Sequence, residues 1–565
     1  MDCSKIITSE DTYEFIVAAD ETVRPTREPD CVQKINERYE IWYYDKAGLP
    51  PLSIAQYTYT AIPKCYGILD STNLEVSGIL KLQNQPTLSL KGQGVFVAII
   101  DTGINYVDDA FRRKDGKTRI FSMWDQTEEP GGENPDWQPP EGFSYGVSYS
   151  RELIDLALSS DDPLSVVPEY DPNGHGTFLA SVACGSEDLK ADFVGAAPEA
   201  ELIVVKLKPA KQLLREFYFI PSDAVVYAES DLMAAISYVS RVAQQENRPL
   251  VILMEFGTNN GNHAGSGPLG DLLNTAGTQI HRAVVTASGN EANNRHHFYG
   301  KTESLLVPLK VEVNVMAHMD GFYLEMWALA PELFAVAVQS PTGEIQPKSV
   351  PINERSQKYS FLFEGTELEI DYREAGRERR DQLIWLRFSN VPGGIWTILV
   401  YPRNVINGYF HMWLPMKGLL ERDVHFLRPT PEVTLTPPSD AAIPMTVGGY
   451  NGANGALYLE SGRGYDTNGV IKPDFLAPAV DVQGKGLRNE YVINTGTSVA
   501  AAVTAGACAQ ILEWAVVREN ALGINSVDIR NLLIRGATRE EGETYPSPST
   551  GYGRLDAYRA FEILR

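Results

Sequence analysis

Three residues of this 565-residue chain have the types and settings that acyl transfer requires. Asp101 ends an apolar run in AIIDTGI. His175 stands between two glycines in DPNGHGTFLASVACG. Ser498 heads a small-residue stretch in GTSVAAAVTAG. A serine hydroxyl does not attack at neutral pH unaided; it needs a base within hydrogen-bond reach, and the base needs a carboxylate to orient it. Each residue also has a plainer reading. Asp101 could cap a turn, His175 could open a surface helix, and Ser498 could be a helix N-cap, a favoured place for serine. The chain order Asp, His, Ser is one of three orders in which unrelated hydrolases present the same geometry.

Such residues must be held by rigid elements. GQGVFVAIID, AELIVVKL, PLVILMEFG and RAVVTASGN are short, β-branched and apolar on both faces, with helical stretches such as SDLMAAISYVSRVAQQ between them. Buried strands alternating with helices predict an α/β domain, a parallel sheet flanked by helices. Asp101 falls at the carboxyl end of one strand, where catalytic groups collect in open α/β sheets. Between 296 and 432 strands such as GFYLEMWALA, QLIWLRFS and GIWTILVYPR follow at short intervals. That stretch predicts an inserted antiparallel β-sandwich, jelly-roll-like. Residues 1–60 hold two strand-like runs and predict a short N-terminal extension. The expected division is therefore 1–60, 61–295, 296–432 and 433–565.

The net charge of −24 argues against nucleic acid and anionic membrane as partners. Five cysteines, an odd number without CxxC, argue against a disulfide framework or a zinc site. Cys184 and Cys508 lie in small-residue segments and read as buried thiols. The first fifteen residues have no apolar h-region, so no secretory signal is visible. The simplest expectation is a cytoplasmic location, with a spore-associated one also open. The nearest approach to a membrane span, SVAAAVTAGACAQILEWAVV, contains Gln510 and Glu513. No carboxylate cluster resembles a calcium loop. The adjacent His296 and His297 read as structural or surface residues. No cofactor and no metal is expected, although a structural calcium is compatible with the sequence.

The motifs DTG, HGT and GTS, in this order, resemble the three active-site signatures of subtilisin-like serine proteases (subtilases, the S8 class). GAAPEAELIVVKL, ASGN and IKPDFLAPAVDV resemble further segments of that family, over about 61–295 and 433–565. The resemblance implies a subtilisin-like fold in which Ser498 is the nucleophile, His175 the general base and then acid, and Asp101 the residue that orients the imidazole. It implies that Asn290 donates its side-chain amide to the oxyanion beside the Ser498 N–H, against a plainer reading as an Asx turn. It places Glu255, Phe256 and Gly257 on the segment lining the primary substrate pocket. A Glu255 facing that pocket would favour a basic side chain before the cut; one facing solvent would not.

Where the family usually continues with Pro and His after the serine, this chain has Ala502 and Val503. That departure, the β insert and YTAIPKCYGILD resemble the clostridial Csp germination proteases and related Firmicutes subtilases. These relatives imply limited proteolysis of a zymogen during spore germination. Some of them have lost triad residues and act as sensors or scaffolds. The leading expectation is thus a serine endopeptidase acting on protein or peptide substrates, as a monomer. A non-catalytic sensor or scaffold is the alternative, and a cleft filled by the chain's own N-terminal segment would favour it. An esterase or ligase using the same serine is a third. Residues 1–60 would be an integral extension or a degenerate prosegment, with any cleavage near 55–90.

Overall fold

The computed structural model describes residues 3–19, 27–67, 77–131, 137–304, 306–351, 356–375 and 380–564. The chain opens with a small unit of its own. A short helix (Cys3–Thr8) precedes β1 (Thr12–Ala18), β2 (Cys31–Lys34) and β3 (Tyr39–Asp45), which pair antiparallel in the order β1-β3-β2. The Ser237 hydroxyl donates to the Ile35 carbonyl at 2.7 Å, fastening this unit to the Glu229–Gln245 helix. Cys3 and Cys31 are joined in a disulfide with their Cα atoms 5.5 Å apart. A single bridge is not a framework, but the sequence did not point to it. Counting gives only the parity of the set, whereas the helix and β2 bring together two residues that are 28 apart in sequence. Cys65, Cys184 and Cys508 are buried thiols.

A short strand, β4 (Cys65–Gly67), leads to the central sheet. The sheet strands are β5 (Phe96–Asp101), β6 (Ile120–Asp125), β7 (Val147–Ser150) and β8 (Glu201–Lys206). After an outlying strand β9 (Val226–Ala228) come β10 (Leu250–Met254) and β11 (Arg282–Ala287). The insert contributes β12 (His297–Lys301), β13 (Leu309–Val315), β14 (Met319–Ala328), β15 (Leu333–Gln339), β16 (Gln357–Ser360), β17 (Glu367–Ala375), β18 (Asp381–Val391), β19 (Gly394–Asn404), β20 (Tyr409–Trp413) and β21 (Val424–Phe426). Then β22 (Met445–Tyr450) and β23 (Phe475–Pro478) return to the central sheet.

The central order is β23-β22-β11-β10-β5-β8-β6-β7, parallel throughout except for β7 at the edge. Every residue of β5, β10 and β11 is buried. That is why these strands read as unbroken apolar runs: both faces of the sheet are covered by helices. Parallel pairing also aligns the carboxyl ends of β5, β10 and β11, so residues distant in sequence emerge at one rim.

The Thr497–Leu512 helix packs under that rim and is buried along its whole length. Its small residues permit this. A Cβ added at Gly506 would lie 2.2 Å from the Ala196 Cβ. The helical stretch Thr497–Val517 is apolar and long enough to cross a membrane, but 89% of its hydropathic window is buried inside the protein. The stretch noted in the sequence is therefore a core helix.

The insert forms two antiparallel sheets, β12-β20-β14-β18-β17-β16 and β15-β19-β13-β21. Their facing sides enclose a core that includes Trp396, Phe322, Phe388 and Phe410. This is the β-sandwich expected from the sequence, with strands running from His297 to Phe426.

Candidate active site

Asp101 is the last residue of β5 and is fully buried. Its Oδ1 accepts the Thr102 N–H at 2.6 Å. His175 Nδ1 lies 2.8 Å from Oδ2 and 3.0 Å from Oδ1. A carboxylate with no proton of its own can only accept, so Nδ1 carries the proton and Nε2 keeps its lone pair. Burial would raise the Asp101 pKa. Attraction to His175, with hydrogen bonds from His175 and the Thr102 N–H, holds it below the ordinary carboxylate value instead.

His175 opens the His175–Cys184 helix, and the two glycines beside it have separate tasks. Gly174 is left-handed, with φ 90°, and turns the chain into the helix. Gly176 allows close approach, since a Cβ there would stand 2.2 Å from the Gly103 carbonyl oxygen and 2.9 Å from the Asp101 Cβ. Asp171 anchors the turn. Its Oδ1 accepts the Gly174 N–H at 2.8 Å and the Thr102 hydroxyl at 2.7 Å, while Oδ2 accepts the Thr177 N–H at 2.9 Å. It therefore ties the end of β5 to the start of the histidine helix. Sequence reasoning did not single out Asp171. The signal was there: an acidic residue just before a helix start is a capping residue.

Ser498 is the second residue of the Thr497–Leu512 helix and has no exposed surface. The cap position belongs to Gly496, which has no side chain to cap the helix. The helix-cap reading of Ser498 is thereby corrected: the serine lies within the first turn, where the backbone N–H groups have no partner in the helix itself. Asn290 follows β11 through Gly289, whose φ is 92°. Its Oδ1 accepts the Thr497 N–H at 3.2 Å and the Thr497 hydroxyl at 3.1 Å. With Oδ1 engaged, the amide NH₂ is the end of Asn290 turned away from Thr497. The His175 and Ser498 helices pack against each other, so β5, β11 and two helix starts converge on one place.

The three pocket residues fare differently. Gly257 closes tightly on Thr436: a Cβ at Gly257 would stand 2.2 Å from the Thr436 Oγ1, and one at Gly289 2.4 Å from it. Thr436, not noticed in the sequence, wedges between these two glycines. Phe256 and Glu255 face neither pocket nor solvent. Phe256 is 1% exposed and its ring packs edge-on against Tyr227, centroids 5.3 Å apart. Glu255 is 0% exposed, and the register of β10 on β5 sets it beside Asp101. The expectation of a pocket or surface Glu255 is corrected by the sheet: a strand covered on both faces has no solvent side to offer.

A second polar network supports Asn290 from behind. Glu291 is buried and accepts from His296 Nδ1 at 2.6 Å, the Lys417 N–H at 3.0 Å and the Asn259 amide at 3.1 Å. His296 and His297 are both buried, which leaves only the structural reading of the pair. His297 Nε2 lies 3.0 Å from His411 Nδ1, and both rings stack with Trp413.

One further contact bears on access. β4 pairs antiparallel with β9, with Cys65 opposite Ala228, Tyr66 opposite Tyr227 and Gly67 opposite Val226. Tyr227 is the residue that packs on Phe256 and lies within the field of Asp101 and Asp171. The chain's own N-terminal segment thus occupies a strand edge beside the site. Positions 68–76, inside the window where cleavage was expected, lie outside the described residues.

Comparison with known proteins agrees with this geometry. The subtilase family model matches residues 92–318 and 429–553, leaving most of the insert unmatched. The solved structure of the Clostridium perfringens CspB protease superposes with a TM-score of 0.76 at 30% identity, covering 86% of this chain and 96% of that one. The C5a peptidase of Streptococcus pyogenes serotype M1 is 23% identical over 511 residues, 83% of this chain and 39% of the relative. The chain thus spans about two fifths of the length of that curated relative. With strand ends, paired side chains and family match in accord, the chain belongs to the subtilase family, the S8 peptidases.

Proposed function

We propose that this protein is a serine endopeptidase that cleaves protein or peptide substrates through Ser498, His175 and Asp101. The observation that carries the reading is the buried contact of His175 Nδ1 with Asp101 at 2.8 Å. It fixes the tautomer in which Nε2 carries the lone pair that accepts a proton. Ser498 Oγ attacks the scissile carbonyl carbon while its proton passes to His175 Nε2. The Asn290 amide and the Ser498 N–H receive the developing oxyanion. Collapse expels the amine, which takes the proton from His175 and leaves an acyl-serine. Water, activated by the same histidine, then releases the acid. An extended substrate would add to the β9 edge, by the strand pairing that β4 makes there.

The fold resemblance to the CspB protease supports a finer reading, limited proteolysis of a precursor protein as in spore germination. Residues 1–60 then act as a degenerate prosegment, followed by β4 on the β9 edge, and a spore-associated or cytoplasmic location fits that role. One observation favours a second reading. With β4 on the β9 edge and Ser498 without exposed surface, the site is covered. A sensor or scaffold that never opens its cleft would look the same. Terminal-amine proteomics on a proteome treated with the wild type or with Ser498→Ala separates the two. New N-termini confined to the wild-type sample support the peptidase. Identical profiles, with both proteins folded, support the scaffold.

A further inference from the structure

Glu255 has no place in the mechanism above, yet it is a fully buried acid at the same rim as Asp101. Parallel pairing of β10 with β5 runs from Leu250 opposite Phe96 to Leu253 opposite Ile99. Two residues further, the same register sets Glu255 beside Asp101, both fully buried. Each stands in the other's field. Two ionised carboxylates side by side and closed off from water repel, so one of them holds a proton. The surroundings decide which. Asp101 already accepts from the Thr102 N–H and from His175 Nδ1, both of which favour its ionised form. Neither Glu255 oxygen meets a donor from any other described residue. An ionised Glu255 would be a bare buried charge next to another of the same sign.

We propose that Glu255 is a positioning residue of the catalytic group: a buried carboxylic acid that keeps its proton at neutral pH and gives it in a hydrogen bond to the Asp101 carboxylate. The assignment rests on the serine-peptidase reading of Asp101 and His175. Held from His175 on one side and Glu255 on the other, the Asp101 carboxylate has no freedom to rotate. The Glu255 proton also draws negative charge from Asp101, which weakens the hold of His175 on the proton it takes from serine. Burial and the charge of Asp101 both push the Glu255 pKa well above the ordinary carboxylate value.

The other titratable groups around the pair leave this proton in place. Lys206, opposite Asp101 on β8, lies 3.2 Å from Asp125 and is committed there. Asp171 reaches Asp101 through the Thr102 hydroxyl. Tyr227, from β9, is kept neutral by burial and by Asp101 and Asp171. On the far side β11 offers Thr286, Ala287 and Ser288, none of them charged.

Three proteins test this: wild type, Glu255→Gln, which keeps a donor, and Glu255→Met, which keeps the volume without one. Each is assayed for kcat/KM against pH on a peptide substrate. The glutamine variant is expected within about threefold of wild type with the same acid limb. The methionine variant is expected to lose about tenfold in kcat and to shift its acid limb upward by about one pH unit. Infrared difference spectra at pH 7, wild type minus glutamine variant, should contain the carbonyl stretch of a protonated carboxylic acid. A methionine variant with wild-type rate and limb overturns the proposal. So does a glutamine variant as impaired as methionine, or a difference spectrum without the acid band. The infrared measurement needs no turnover. A wild type that is folded and inactive would therefore sink the peptidase reading, while the spectrum still judged Glu255.

Discussion

Buried histidines stand in two regions, beside Asp101 and at the seam between the insert and the catalytic fold, and their neighbours differ. His175 has a carboxylate at 2.8 Å. His263, His297 and His411 have none; they stack with Trp413 at the seam between insert and catalytic fold, with the His263 and Trp413 ring centroids 4.0 Å apart. Burial pushes the His263 pKa down to about 4 and the His411 pKa to about 3, and it pushes that of His297 well below the ordinary value. A buried imidazole needs a carboxylate beside it to carry a proton, because only then has the charged form a counter-ion; His296, paired with Glu291, shows that the pair alone does not make a catalytic group. Without one the same ring is an aromatic packing unit. In the proposed mechanism the first carries the proton, whereas the second is structural: His263 Nε2 contacts the Asn259 carbonyl and Asn259 in turn bonds Glu291 beside Asn290.

The largest effects should fall on the first group. Ser498→Ala or His175→Ala is expected to lower kcat by about 10⁶-fold, as in the comparable triad series, with the fold unchanged by circular dichroism. Asp101→Asn should cost about 10⁴-fold, because the amide stabilises the wrong imidazole tautomer. A loss under tenfold in either case would break the contrast drawn here. Asn290→Ala is expected to cost about 10²- to 10³-fold in kcat with little change in KM, the mark of an interaction made in the transition state. Equal loss in KM would make Asn290 a substrate-binding residue instead.

The seam should respond to pH rather than to substrate. The unfolded chain binds protons on its histidines near pH 6.5, whereas the folded seam does not until pH about 4 for His263 and about 3 for His411. Below pH 6.5 the unfolded state therefore holds more protons, and stability falls as pH falls. The slope is about 1.4 kcal/mol per pH unit for each histidine, with the full contribution present above pH 6.5. Asp440, whose pKa burial raises to about 6, titrates in the opposite sense nearby, so the difference between proteins is the cleaner readout. Between pH 7 and 4.5, urea midpoints of His411→Phe should fall less steeply than those of wild type. Parallel curves would mean that His411 carries a counter-charge after all.

The smallest effect tests the glycines. Gly257→Ala drives a Cβ into the Thr436 side chain. A cost of about 1–3 kcal/mol is expected from overpacking, and Thr436→Ala in the same protein, which removes the clashing Oγ1, should restore part of it. Thermal unfolding of the two single variants and the double variant measures the coupling.

The residues of the candidate site were legible because each lies in a short motif whose glycines are needed locally: Gly174 and Gly176 around His175, Gly289 before Asn290, Gly496 before Ser498. Strand ends and apolar runs gave the parallel sheet, and alternation with short turns gave the sandwich. What sequence concealed is non-local. The aim of Glu255 depends on β5 lying beside β10 with both faces covered. The Cys3–Cys31 bridge depends on a helix folding back over β2. The histidine–tryptophan seam draws on residues 263, 297, 411 and 413, which only the insert's return brings together. The role of Ser498 was read from motif order, whereas its place inside the helix rather than at the cap needed the backbone.

The central claim is that Ser498 is a nucleophile activated through His175 and Asp101. Its most direct test is the mass of the folded protein after exposure to a fluorophosphonate. The account predicts one adduct per chain, mapped by peptide sequencing to Ser498, formed quickly in wild type and absent in Ser498→Ala and in His175→Ala. Folded wild-type protein that gains no adduct, or an adduct that persists in Ser498→Ala, would contradict it.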